Sequence, residues 1–168
     1  MDNDAVRNYL TLLMNAVSGS VNGAEIIDAE DGPMLVCAAA SPFSDGEEIG
    51  YQFSITPLDE GLFVIEAALF LFSDIDREKL GDVEKLIAVL NSGFDIGAFR
   101  TFDETGSVLF TQGMFFDEEL GGAMITDTLG KTVSLMEGTV QNKGRYIYRY
   151  LNGEKLETLI GEAREAEL

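Results

Sequence analysis

The residues of this sequence that could carry chemistry are few. The chain has no histidine, which is the commonest general base and metal ligand in proteins. Its one cysteine, Cys37, lies in the apolar run 34–40, where a thiol most often packs as a small hydrophobic side chain. Because Cys37 has no histidine to activate it, we expect it in the core and not as a nucleophile.

Two segments begin like known ligand-binding loops, and both lack required residues. The triplet 130–132 reads Gly-Lys-Thr, but Ile125 stands where a phosphate-binding loop needs glycine. Segment 74–85 starts like a calcium loop, yet it has Lys79 and Lys85 in place of the turn glycine and the last glutamate. We therefore expect no catalytic residue, no cofactor, no metal site and no enzyme activity.

The balance of charges is strongly acidic. Asp and Glu number 30 against 11 Lys and Arg, which gives a formal net charge of −19. Such a surface repels nucleic acids and anionic membranes, so we expect neither as a partner. The charge either attracts basic segments of other proteins or simply keeps the chain soluble.

Nothing in the sequence is typical of export or of a membrane anchor. The first four residues include the acidic Asp2 and Asp4 and no basic residue, whereas a signal peptide begins with basic residues. The longest apolar stretch, 62–72, contains Glu66 and is too short to cross a bilayer as a helix. These features predict a cytoplasmic protein.

Hydrophobic periodicity predicts the elements of the first half. Apolar residues at helical spacing predict an N-terminal helix, capped by Asp2 or Asp4 and ended by Gly19. Alternation or continuous apolar runs then predict strands, with turns at 31–33 and 58–61. The strands are 24–29, 34–40, 51–56 and 62–72.

In the second half, apolar residues recur with the helical period of 3.6 in some segments and with the strand period of 2 in others. A helix with apolar residues from Leu80 to Leu90 should start at Ser73 or Asp74 and end at 91–93. A hairpin with strands 94–102 and 108–116 follows. A long helical pattern over 125–151 should break at Gly138 or Gly144, and a charged helical tail spans 152–168. Residues 1–168 are thus one α+β domain, an antiparallel sheet with flanking helices in the order α-β-β-β(-β)-α-β-β-α.

One region carries a resemblance to a known family. Segment 86–91 ends a helix in Asn, 94–99 opens a strand with Phe-Asp-Ile-Gly-Ala-Phe, and 103–110 forms a hairpin before the last long helix. This pattern resembles the YbjN-like proteins, described as bacterial sensory-transduction regulators, with a fold similar to type III secretion chaperones. The resemblance implies a small acidic homodimer that holds extended segments of other proteins. The chain departs from it by one additional strand before the middle helix and by the tail beyond Leu151.

The sheet carries more apolar side chains than one face can hold. In 62–72 the odd positions predict the core face, while the even positions include apolar residues beside Glu66. If Phe94, Ile96 and Ala98 point toward the core, Phe99 points to the opposite face. The predicted interaction face consists of Val64, Phe70, Phe72, Phe99, Leu109 and Phe115. Either the chain's own middle helix covers these residues, or a second subunit or client segment does.

A stripe of small residues on the last long helix is a second, weaker feature. Gly130, Ser134 and Gly138 are four residues apart and would let another backbone approach closely. Packing within the chain, as in a close contact between helix and sheet, is the favoured interpretation, and contact with a partner is the other.

The sequence thus favours a non-enzymatic protein-binding module. We expect a chaperone-like or adaptor protein, homodimeric, that holds a segment of an unidentified protein or peptide. The alternatives are a regulatory module of the sensory-transduction type and a small-molecule-binding domain with its ligand between sheet and long helix.

Overall fold

Alternating and helical apolar patterns produce an α+β fold built on one antiparallel sheet. The computed structural model describes residues 3–58, 61–93 and 96–166. Its elements are α1 (Asn3–Val17), β1 (Asn22–Ala29), β2 (Gly32–Ala40), β3 (Glu48–Pro57), β4 (Leu62–Phe72), α2 (Arg77–Leu90), β5 (Ala98–Phe102), β6 (Ser107–Asp117), α3 (Gly122–Thr139), a π-helical turn (Val140–Gly144), α4 (Arg145–Leu151) and α5 (Leu156–Ala166). The predicted fold class is confirmed, with four strands before α2.

The six strands lie in the order β1-β2-β3-β4-β6-β5, and every neighbouring pair is antiparallel. Because strand side chains alternate between faces, each strand contributes every second residue to the core. The largest fully buried strand side chains are Leu35, Phe53, Phe63, Ile65, Leu69 and Phe110.

The helices bury their apolar stripes against this same face. Leu10 of α1, Leu86 of α2 and Leu129 of α3 belong to one hydrophobic core with the inward strand residues. The predicted tail also packs onto it, because Leu159 and Ala163 of α5 are buried in that core. Within the described ranges, no helix is both long and apolar enough to cross a bilayer.

An arginine joins the tail to the rest of the domain. The guanidinium of Arg149 donates hydrogen bonds of 2.7 Å from Nε to Glu154 and from Nη1 to Glu162. These bonds raise the pKa of Arg149 above its ordinary value, with the bond to Glu154 as the largest cause. The same contact lowers the pKa of the Glu154 carboxyl. The arginine therefore holds the loop after α4 and helix α5 together.

Helix starts differ from the prediction. Asp2 lies outside the described residues, and Asp4 is in the first turn of α1 and not before it. Helix α2 begins at Arg77 instead of Ser73 or Asp74. Asp74 has a positive φ of 55°, a left-handed conformation that reverses the chain between β4 and α2 and cannot continue into a right-handed helix. Of the predicted turn 58–61, residues 59 and 60 lie outside the described residues.

The predicted break in the long helix is replaced by a π turn. Neither Gly138 nor Gly144 ends the helical path, which continues from α3 through Val140–Gly144 into α4. A Cβ at position 144 would lie 2.7 Å from Cζ of Phe43. The Phe43 ring is held between Phe72 and Tyr148, at centroid distances of 5.2 and 5.8 Å. Glycine at 144 thus lets the loop after β2 pack against the helix.

Two glycine-to-alanine substitutions test this local packing. G138A should raise the free energy of unfolding by roughly 0.5–1 kcal/mol, because a Cβ at 138 meets no atom within 4 Å and alanine favours the helix. G144A should lower it by roughly 1–3 kcal/mol, because the new methyl group displaces the Phe43 ring. Urea unfolding of both variants measures the difference. Equal changes in the free energy of unfolding of the two variants, or a loss of stability in G138A, would contradict the expected packing.

Candidate functional site: the open face of the sheet

The pairing of β4 with β6 places four of the predicted interaction residues on one face. Val64 lies opposite Phe115, and Phe70 lies opposite Leu109. None of these four residues belongs to the hydrophobic core. We call the side of the sheet away from the helices the open face. Its central side chains are Gln52, Ser54, Val64, Glu66, Ala68, Phe70, Ala98, Arg100, Leu109, Thr111 and Phe115.

The open face has a polar, concave middle between two apolar ends. The concavity has a volume of about 480 Å³. Small residues such as Ala68, Ala98 and Gly113 make it deep, while Glu66 and Arg100 supply opposite charges to its lining. The Val64–Phe115 pair lies toward one end and the Phe70–Leu109 pair toward the other. The surface can therefore bind apolar groups at its ends and polar groups between them.

Large apolar side chains on this face are accessible to solvent. Phe115 is 75% exposed and Phe70 is 44% exposed. Phe102 on the edge strand β5 is 51% exposed and was missed by the sequence analysis. Alternation from Arg100 would have placed it on the open face, had the inward positions of β5 been known. Leu109 is buried, because it lies between Phe70 on one side and Arg100 on the other.

The prediction for Phe99 was wrong. Phe99 is buried in the core, where its ring meets Phe110 edge-on at a centroid distance of 5.1 Å. The side chain of Asn91, at the end of α2, bonds both the N–H and the C=O of Phe99 at 2.9 Å. These bonds attach the start of β5 to the helix that covers the core face. Asn91 is thus a positioning residue that the sequence analysis read only as a helix end.

The prediction for Phe99 was wrong because it assumed that side chains alternate between faces without interruption from position 94 to position 99. Ile96 packs against the core as predicted, but Ala98 lines the concavity of the open face and does not point inward. Gly97 between them has φ +73°, and a Cβ there would lie 2.6 Å from the carbonyl oxygen of Thr111. Such a residue interrupts the two-residue period. Phe94 lies outside the described residues.

The prediction for Phe72 was also wrong. The register of β4 against β6 shifts between Phe70 and Phe72. Phe72 therefore lies opposite Val108, which faces the core. The ring of Phe72 packs against Phe43 and lies 6.5 Å from that of Tyr148 on α4. A β-bulge adds one residue to a strand, so every side chain beyond it changes face.

The middle helix does not cover the open face. Val83, Leu86 and Leu90 of α2 are buried in the same core as Phe63 and Phe110. The Nζ of Lys143 in the π turn donates a hydrogen bond of 2.8 Å to the carbonyl oxygen of Leu90. This bond fixes α2 beside the long helical path. The interpretation that the chain covers its own second face through this helix is therefore wrong.

The stripe of small residues packs within the chain at one position, against a helix and not the sheet. A Cβ at Gly130 would lie 3.9 Å from the carbonyl oxygen of Ala16, so this residue adjoins α1 and not the sheet. Ser134 is exposed, and its hydroxyl donates a hydrogen bond of 3.0 Å to the carbonyl oxygen of Gly130. A Cβ at Gly138 meets no neighbour. Only Gly130 takes part in a contact between elements.

The single cysteine and the acidic side chains are the groups that could carry chemistry. Cys37 is a buried free thiol, and burial raises its pKa to about 11. In the part of the chain that the structure describes, no group of three acidic or cysteine side chains converges where a metal ion could sit. The prediction that Cys37 packs in the core is confirmed.

No known protein family matches this chain, and no curated protein does so either.

Adjacent phenylalanines of β6 test the two faces directly. F116A should lower the free energy of unfolding by about 3–5 kcal/mol, because Phe116 is buried against Phe63. F115A should change it by less than about 0.5 kcal/mol, because Phe115 is exposed. Urea unfolding is measured at dilutions where light scattering finds monomers. Similar losses in both variants would mean that the open face is covered within one chain.

The reactivity of Cys37 gives a second test. With a pKa of about 11, only about one thousandth of the thiol is ionised at about pH 8, and burial also blocks reagents. Labelling by dithiobis(nitrobenzoic acid) should therefore be at least about a hundredfold slower than for the urea-unfolded chain. Rapid labelling of the folded protein would show that Cys37 is accessible and activated.

Proposed function

We propose that this protein is a non-enzymatic protein-binding module, chaperone-like or adaptor in type, which works as a homodimer joined through the open face. The observation that carries the proposal is an uncovered sheet face with Phe70 and Phe115 exposed at its two ends. Antiparallel sheets tolerate a solvated face when that face is polar. Exposed aromatic groups at both ends instead favour burial against another protein surface.

Charge selects the open face for self-association. A chain with a net charge of −19 repels its own copy across most surfaces. The concavity of the open face is different, because its charged side chains are one glutamate, Glu66, and one arginine, Arg100. In a twofold dimer each contact occurs twice, so Arg100 of each copy can face Glu66 of the other. Interface cores are similarly poor in charge and rich in aromatic residues.

The remaining surface suits a partner segment of opposite charge. Once a second copy covers the open face, the remaining surface of this acidic chain can attract basic segments of other proteins. Membership in the YbjN-like family and a cytoplasmic location belong to the same proposal. The buried free thiol of Cys37 supports that location, because reducing compartments keep thiols unpaired.

Light scattering of purified protein tests the dimer. We expect the wild-type chain to be dimeric and a F70A/F115A variant to dissociate at least about tenfold more readily, because both apolar ends of the interface are lost. R100E should also dissociate more readily, because it makes the concavity uniformly acidic.

The matched control is L135A. Leu135 is 59% exposed on α3, away from the open face, so its removal should leave the dimer intact. A wild-type monomer at all concentrations, or a dimer lost in L135A and kept in F70A/F115A, would refute the proposed interface.

A further inference from the structure

A second cavity lies on the helical side of the sheet, apart from the open face. It has a volume of about 250 Å³ and opens to solvent beside the π turn. Its walls come from the end of β2, the start of β3, the loop after β2, the turn after α1 and the helical path. The apolar part of the lining consists of Ala39, Ala40, Pro42, Ile49 and Val140.

The polar end of this cavity is a carboxylate and a tyrosine. Tyr51, on β3, donates its hydroxyl hydrogen to Oε1 of Glu137, on α3, at 3.1 Å. Burial raises the pKa of Tyr51, and the negative charge of Glu137 raises it further, so the hydroxyl stays protonated and remains a donor. Gln141, one helical turn beyond Glu137, also lines the cavity.

Glu137 has unused capacity to accept hydrogen bonds. Among the described residues, no lysine or arginine forms an ion pair with it, and Tyr51 occupies one of its oxygens. A carboxylate offers about four acceptor positions, and one in a half-buried place gains most from a charged donor. The cavity provides the space in which such a donor could sit.

The walls are fixed by contacts elsewhere in the fold. The ring of Phe43 rests on Gly144 and stacks with Tyr148, which holds the neighbouring Pro42 against the π turn. Val140 and Gln141 belong to that turn, and π turns are frequently retained at binding sites because they reposition side chains within a helix. The cavity is therefore largely preformed.

We propose that this cavity binds a small organic cation, with an ammonium group on Glu137 and a short apolar chain against Ile49 and Val140. Charge complementarity selects the cation, because the described residues that line the cavity include the carboxylate of Glu137 and no basic side chain. The net charge of −19 also raises the local concentration of cations. The small volume restricts the ligand to a compact molecule, smaller than those in most cofactor sites.

The test uses n-butylammonium chloride as the probe and 1-butanol as its uncharged counterpart. Nuclear magnetic resonance of methyl groups should show saturable shifts at Ala39, Ile49 and Val140 with n-butylammonium, against a baseline of equal sodium chloride. 1-Butanol should bind at least about tenfold more weakly, because it lacks the charge.

Variants separate this site from general attraction to an acidic protein. E137Q keeps an acceptor for Tyr51 but removes the charge, and should weaken n-butylammonium binding about tenfold or more. The control E165Q removes a charge from the exposed surface of α5 and should leave binding unchanged. Y51F frees Oε1 of Glu137 and should bind at least as tightly as the wild type.

Several results would overturn the proposal. They are the absence of saturable shifts, equal binding of 1-butanol, unchanged binding in E137Q, or shifts that lie mainly outside the cavity. The outcome is independent of the dimer, because the open face and this cavity lie on opposite sides of the sheet and share no lining residue.

Discussion

The fold depends on the burial of one face of a six-stranded sheet under helices. Alternation along each strand sends Phe53, Phe63 and Phe110 into that core, together with the apolar stripes of the helices. The opposite face receives no helix within the described chain, yet it still carries aromatic side chains. Hydrophobic burial stabilises the monomer. It also leaves an apolar surface whose burial against another protein would lower the free energy.

Local distortions of the backbone decide which side chains lie on that surface. A bulge turns Phe72 toward Tyr148, and the left-handed backbone at Gly97 changes the period before Phe99. The hydrogen bonds from Asn91 then hold Phe99 beside α2. Each distortion moves an aromatic ring from the open face to the core. The open face consequently has a concave, polar centre between separated apolar ends, a shape suited to selective binding and less prone to unspecific aggregation.

The helical layer contributes a different kind of site. The π turn and the ring of Phe43 keep the long helical path at a distance from the end of β2 and the start of β3 that leaves a small cavity. Glu137, the acidic residue among the described lining, accepts a hydrogen bond from Tyr51 and faces apolar walls. In the proposed site, acidic character, which over most of the surface serves solubility and repulsion, would instead select a cation. The sheet thus has a concave open face on one side and a small cavity on the other.

The sequence by itself determined the element types and the fold class, because helix and strand periods are local properties of hydrophobic spacing. It also determined the placement of Val64, Phe70, Leu109 and Phe115, which lie on regularly alternating strands. Only the tertiary structure decided the faces of Phe72 and Phe99, the start of α2, the continuity of the long helix and the pairing of Tyr51 with Glu137. These depend on bulges, left-handed residues and contacts between segments far apart in the chain, which no local period encodes.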